Sequence, residues 1–342
     1  MKLFLLLFAF AAITNFTFGQ STDSADYYYQ KALTEKQSGR KLEVWKNIEK
    51  AFKYKPDDKA VVSEYAAILL DLRKYSQAKE MFKKLEQMGE SSATLYKQLF
   101  TLTYNTKQFD EAIAYADKLI KADPTEKINI FLGKIHYDRD NYGEAIKYLQ
   151  LAEKDDSQNA EASYLLARCY ADMANYKLCI PYFEKAITLD PIKSNWVYEL
   201  SLICYAMHDD KNALKYMVQA AEKGYKRDND YMENLGNAYL NAGNLEDGVK
   251  ILKEILVKKP SDQNILNMIA EAYYSAGKFQ EAIDYWDLVL TADKTNAQSL
   301  YMIGMSYQKK GEKDKGVALC DKAIEMDPSL AMYKQKKMNM GL

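Results

Sequence analysis

Apolar residues recur along most of this chain at intervals of three and four, interrupted at regular distances by short polar stretches. Leu266, Ile269, Ala270 and Tyr273 stand at i, i+3, i+4 and i+7, which predicts one face of an α-helix. Ala282, Trp286 and Val289 stand at i, i+4 and i+7 and predict a second helix. Between them lies SAGKF, where Gly277 can take the left-handed conformation that ends a helix. The stretch therefore predicts two antiparallel helices joined by a tight turn.

The position of Ala282 returns up and down the sequence as Val44, Ala78, Ala112, Ala145, Cys179, Ala213, Gly248, Ala282 and Gly316. The successive separations are 34, 34, 33, 34, 34, 35, 34 and 34 residues. A period in this range is the signature of a solenoid of stacked hairpins. Small residues such as Ala270 and Ala282 belong where two helix backbones meet. A larger side chain there would overpack the seam by about 1–3 kcal/mol. Pro56, Pro124, Pro191, Pro260 and Pro328 stop the second helix in five units, usually after an aspartate.

This order of a small residue, tyrosine, glycine, alanine, an aromatic and proline, at a 34-residue period, resembles the tetratricopeptide repeat. The resemblance implies an all-α fold, a right-handed superhelical solenoid of about nine helix-turn-helix units over residues 25–330. Residues 331–342 would form a polar helix capping the last seam. Some units depart from the pattern. Glu35 replaces the usual tyrosine, and the second and sixth units carry Gly89 and Gly224 in place of the terminal proline. The sixth unit is one residue longer, so a bend or hinge is expected near residues 224–229. Pro181 is expected to kink the second helix of the fifth unit unless it lies in the first turn.

The N-terminus reads differently. Lys2 precedes an apolar run from Leu3 to Ile13, too short to cross a bilayer, which needs about 20 apolar residues. Thr17 and Gly19 supply small residues before a cut that leaves Gln20 as the mature start. Residues 1–19 are thus expected to be a cleaved signal peptide and 20–24 a linker. The mature chain, with no stable transmembrane span, would be exported to the periplasm, the cell surface or the medium.

Charge excludes one class of partner. Lys plus Arg is 47 against 48 for Asp plus Glu, so no basic field is available to hold nucleic acid. Cys169, Cys179, Cys204 and Cys320 lack paired metal-ligand spacing and fall on apolar faces, as buried free thiols would. His136 occupies a tyrosine place of the repeat and His208 a turn. In DRDNYGE, Asp138, Asp140 and Gly143 echo the start of a calcium loop, but Tyr142 and Leu149 stand where ligands are required. No nucleophile, phosphate-loop or metalloenzyme motif occurs, so neither catalysis nor a cofactor is expected.

What remains is surface. In stacked hairpins the first helix of every unit lines one concave face. The places beside its buried stripe hold Tyr104, Lys134, Tyr137, Tyr164, Arg168, Tyr198, Tyr205, Asn237, Asn241, Asn267, Tyr274 and Tyr301, with Asp230, Glu233 and Glu271 among them. Tyrosine offers a rigid ring with a polar tip, and asparagine hydrogen-bonds a peptide backbone in either sense. Together they point to a segment of another protein as partner, in an envelope assembly, secretion or surface-attachment complex. The alternatives are self-association into a homo-oligomer through the convex face or the end repeats, and stacking of a carbohydrate on the tyrosines. Some family members grip a C-terminal carboxylate with Lys and Asn. Lys97 matches such a lysine, but Thr101 stands where the asparagine belongs, so that clamp is incomplete.

Overall fold

The computed structural model describes residues 24–333. The expected signal peptide and most of the expected capping helix lie outside the described residues. Regular structure within them is helical throughout. The chain divides into two compact units, Met1–Asp155 and Asp156–Leu342.

The first unit contains four hairpins. They are α1 (24–37) with α2 (Lys41–Tyr54), α3 (Lys59–Asp71) with α4 (Tyr75–Gln87), α5 (Ala93–Asn105) with α6 (Phe109–Ala122), and α7 (Asn129–Tyr137) with α8 (Tyr142–Asp155). The second unit contains five. They are α9 (Ala160–Asp172) with α10 (Tyr176–Leu189), α11 (Ser194–Ala206) with α12 (Asp210–Glu222), α13 (Asn229–Asn241) with α14 (Leu245–Lys258), α15 (Gln263–Ser275) with α16 (Phe279–Ala292), and α17 (Ala297–Lys309) with α18 (Lys313–Met326). A 3-10 turn, Pro328–Leu330, follows and buries Leu330.

The two helices of a hairpin begin in different ways. Most first helices start on a side-chain cap: Asp58, Ser92, Asn159, Asp228, Asp262 and Asn296 each accept from a backbone N–H of the first turn. Most second helices have no such cap, α12 with Asp209 being an exception. They are launched from a turn in which one residue takes positive φ and the next donates its N–H back five residues. Examples are Lys74 to the Leu69 carbonyl, Asn175 to Tyr170 and Lys278 to Tyr273. The positive-φ residues are Gly39, Arg73, Lys107, Asp140, Ala174, His208, Gly243, Gly277 and Gly311, one per hairpin. Each lies five residues before the seam position read from the sequence.

That seam is a close backbone approach. Ala78, Ala112, Ala145, Cys179, Ala213 and Ala282 are fully buried there. Gly316 faces Gly304, and a methyl added at Gly316 would lie 2.5 Å from the Gly304 carbonyl oxygen. Larger residues fill the flanks: Trp286, Phe183, Leu200 and Tyr231 are all buried. Phe100, on α5, occupies the first-helix place held by Gly236 and Gly304 elsewhere, and is buried against the first unit's core.

Two irregularities resolve locally. Pro181 lies inside α10, which runs on through it to Leu189 although the ring nitrogen has no proton to donate. The segment after α12 carries Gly224 at positive φ, and Tyr225 then turns inward. Its ring stacks on Tyr198 at 4.2 Å and meets Tyr231 at 5.7 Å, so aromatic packing fastens the place where a hinge was expected.

Candidate interaction face

The sequence-predicted residues divide into those engaged within the fold and those left open. In the first unit, Tyr104 is half-buried and meets the Phe131 ring edge-on at 5.2 Å. The Lys134 ammonium sits 5.7 Å over the same ring, and Tyr137 packs on Tyr142. Phe131 thus joins Tyr104 and Lys134 across α5 and α7, while Tyr137 pairs separately with the start of α8. Lys97, the clamp-like lysine, pairs with Glu126 at 2.8 Å, and the Thr101 hydroxyl donates to the Lys97 carbonyl.

In the second unit, Tyr164 stacks on Trp196 of the next hairpin at 4.4 Å with the planes 11° apart. Its hydroxyl lies 3.0 Å from both Glu199 carboxylate oxygens, and Arg168 donates to that hydroxyl at 3.2 Å and approaches Glu199 at 3.5 Å. Burial pushes the Glu199 carboxyl above its ordinary range, against the pull of Arg168. Burial, then the Glu199 charge, raises the Tyr164 phenol. Glu199 is a residue the sequence reading missed. A signal existed: it stands 31 residues from Arg168, one period less three, which brings facing side chains of successive hairpins together.

Tyr198 is engaged in the same manner. It accepts from the Asn234 amide at 2.8 Å while its ring packs on Tyr225 and Tyr231. Tyr274 packs edge-on against Phe279 and Trp286. Asn267 accepts from Ser299 at 3.4 Å. Tyr301 does not line an open face at all; only 6% of it is exposed, with its ring beneath Tyr333. Tyr205 is open, at 40% exposure.

Asn237 and Asn241 are different again. They line a depression of about 440 Å³ between α13 and α15, together with Glu271, Ser275, Met268 and Leu240. The two helices contribute at matching places: Asn237 and Asn241 on one, Glu271 and Ser275 one repeat later on the other. Among the described residues no hydrogen bond or ion pair engages these four side chains. Small neighbours (Gly243, Ala272, Ala276) leave the hollow unfilled.

The remaining chemistry is structural. All four cysteines are buried, with the thiols of Cys169 and Cys179 pushed up to about 12 and that of Cys204 to about 11 by burial. His136 stacks on Tyr148 at 5.3 Å, and burial lowers its pKa. Asp140 takes positive φ in its turn and accepts from the Tyr142 hydroxyl. No group of three or more His, Cys, Asp or Glu side chains suited to a metal ion occurs among the described residues. No helix among them is long and apolar enough to cross a membrane.

Tetratricopeptide-repeat family models match residues 8–131, 198–263 and 297–330. The chain is a tetratricopeptide-repeat protein. A model for anaphase-promoting complex, cyclosome, subunit 3 also matches residues 105–186. This repeat protein is similar to the C-terminal part of a tetratricopeptide repeat-containing protein from Cytophaga hutchinsonii. That likeness has 20% identity and a TM-score of 0.55, covering 70% of this chain and 98% of the other. The DnaJ protein P58IPK homolog of Arabidopsis thaliana is 21% identical over 226 residues, 61% of this chain and 47% of that protein. TPR repeat-containing protein YpiA of Bacillus subtilis is 20% identical over 222 residues, 61% of this chain and 52% of that protein. The chain thus spans about half the length of the curated relatives it matches.

Proposed function

We propose that this tetratricopeptide-repeat protein is an exported, non-catalytic scaffold that holds an extended segment of another protein against the first-helix face of its second unit. The observation that carries this reading is the hollow between α13 and α15, where Asn237, Asn241, Glu271 and Ser275 have no hydrogen-bond or ion-pair partner among the described residues. Unpaired amides beside a half-apolar hollow match the bonding needs of an extended backbone. The volume, about 440 Å³, suits a side chain or short segment. Tyr164 and Tyr198 join successive hairpins, and Tyr274 ties α15 to α16 within one. Glu199, whose carboxyl burial raises, is occupied by Tyr164 and Arg168, which favours a packing role over an acid–base one.

Export rests on Lys2, the apolar run Leu3 to Ile13 and the small residues before Gln20. An envelope assembly, secretion or surface-attachment complex is the setting we assign. The test is photocrosslinking from position 241 in the native cell, followed by mass spectrometry, with N-terminal sequencing of the recovered chain. Capture of a defined partner that is lost in an Asn237→Ala, Asn241→Ala double variant is expected, with a mature start at Gln20. Equal capture by that variant would overturn the groove reading, and an intact Met1 would overturn export.

A further inference from the structure

The hollow between α13 and α15 is also charged in one sense. Of its ten lining residues, Glu271 alone is ionisable. The nearby Lys278 ammonium is turned onto the Tyr273 ring at 6.0 Å, and Glu271 has no ion pair among the described residues. Asp230, with no ion pair among the described residues, adds a second carboxylate seven residues before Asn237 on α13. Earlier in the chain the first-helix stripe carries Lys134 and Arg168 at the place of Asn237 and Glu271. Those cations are committed, one over Phe131 and the other to Glu199 and Tyr164. The stripe therefore turns acidic where it becomes open.

We infer that the hollow takes a lysine or arginine side chain of an extended peptide. Glu271 meets the cation, Met268 and Leu240 cover its methylene stem, and Asn237, Asn241 and Ser275 hydrogen-bond the backbone on either side. A long cationic side chain meets both demands of the site, an apolar wall and a lone carboxylate. An acidic peptide would leave Glu271 against a like charge. This inference rests on the scaffold reading above and gives its partner a chemistry.

The experiment uses the purified full chain and fluorescein-labelled octapeptide pools of neutral residues, in which one position holds lysine, norleucine or glutamate. Anisotropy titrations at low ionic strength are expected to rank lysine above norleucine by about fivefold, the size of a partly exposed ion pair, with glutamate weakest. Glu271→Gln, a surface change that leaves packing alone, should bring lysine and norleucine within twofold while the pools still bind. Equal binding of lysine and norleucine by the unaltered protein sinks the basic-peptide inference but leaves the scaffold reading standing. A lysine preference that survives in Glu271→Gln sinks the assignment of that residue. Binding of none of the pools sinks both readings together.

Discussion

The two units stack similar hairpins with different adhesives. In the first, lysines and arginine reach across one repeat to carboxylates: Lys36 to Glu64 at 2.7 Å, Lys84 to Asp57 at 2.8 Å, Lys97 to Glu126 at 2.8 Å and Arg139 to Asp110 at 2.6 Å. In the second, Arg168 to Glu199 is such an ion pair, but rings and shared hydroxyls, which the first also uses in Tyr104 on Phe131 and Tyr115 to Glu86, form most of the joints: Tyr164 on Trp196, Tyr216 to Glu184 and Asn234 to Tyr198. Exposed ion pairs are worth about 0–1 kcal/mol each and weaken with salt. Buried aromatic pairs add about 0.5–1.5 kcal/mol beyond their area and are indifferent to salt. The comparison teaches that one repeat geometry tolerates either chemistry.

The sharpest way to break the comparison is to remove one joint of each kind. Trp196→Ala is expected to lower stability by about 3 kcal/mol in urea unfolding, as loss of a buried tryptophan does. Lys36→Ala should cost under about 1 kcal/mol. Equal costs would mean that the two adhesives do not differ in strength.

Turn residues offer a smaller contrast. Ala174 holds φ of 54°, where Gly277 holds 73° in the equivalent turn. An L-residue in this region costs about 1 kcal/mol, so Ala174→Gly should raise the unfolding midpoint and Gly277→Ala lower it, each by about that amount. Midpoints that move in the same direction would show that the turns are not equivalent.

Salt should separate the units within one molecule. Between low salt and 1 M sodium chloride the screening length falls to about 3 Å. Amide exchange followed by mass spectrometry is expected to accelerate in α3–α7 and to hold steady in α9–α13. Uniform acceleration would contradict the division.

Acid should have opposite effects at two carboxyls. Glu111 is held low by a hydrogen bond from Lys83, with Lys79 nearby. Its contribution is present above the ordinary glutamate value of about 4.3 and lost as pH falls through its folded value. Glu199 is raised by burial, so its contribution is complete below about 4.3 and lost as pH rises through its folded value. Exchange protection should therefore weaken around α4–α6 on acidification and strengthen around α9–α11. Glu199→Gln should abolish the second trend, and its persistence would assign that trend elsewhere.

Sequence periodicity was enough to locate the hairpins, their seams and the turn at Gly277. It could not point to Arg73, Lys107, Asp140, Ala174 or His208 as left-handed, because those residue types do not ask for positive φ; the hairpin imposes it. The site was partly legible for a similar reason. Helical spacing says which stripe Tyr164, Tyr198 and Tyr301 occupy, but not how near the next hairpin stands. That distance turns Tyr301 into core and ties Tyr164 to Glu199. Asn237 and Asn241 line an open hollow because Gly243, Ala272 and Ala276 stand beside them.

The unequal starts of the two helices in each hairpin bear on how the chain acquires its shape during synthesis. A first helix that carries its own cap, as at Asp58, Ser92 or Asp262, can begin to coil as soon as its residues are free, before its partner exists. The second helix is then started by the turn and closes on a surface already in place. Growth of this kind proceeds outward by neighbours only, each newly released hairpin finding its template in the one before it.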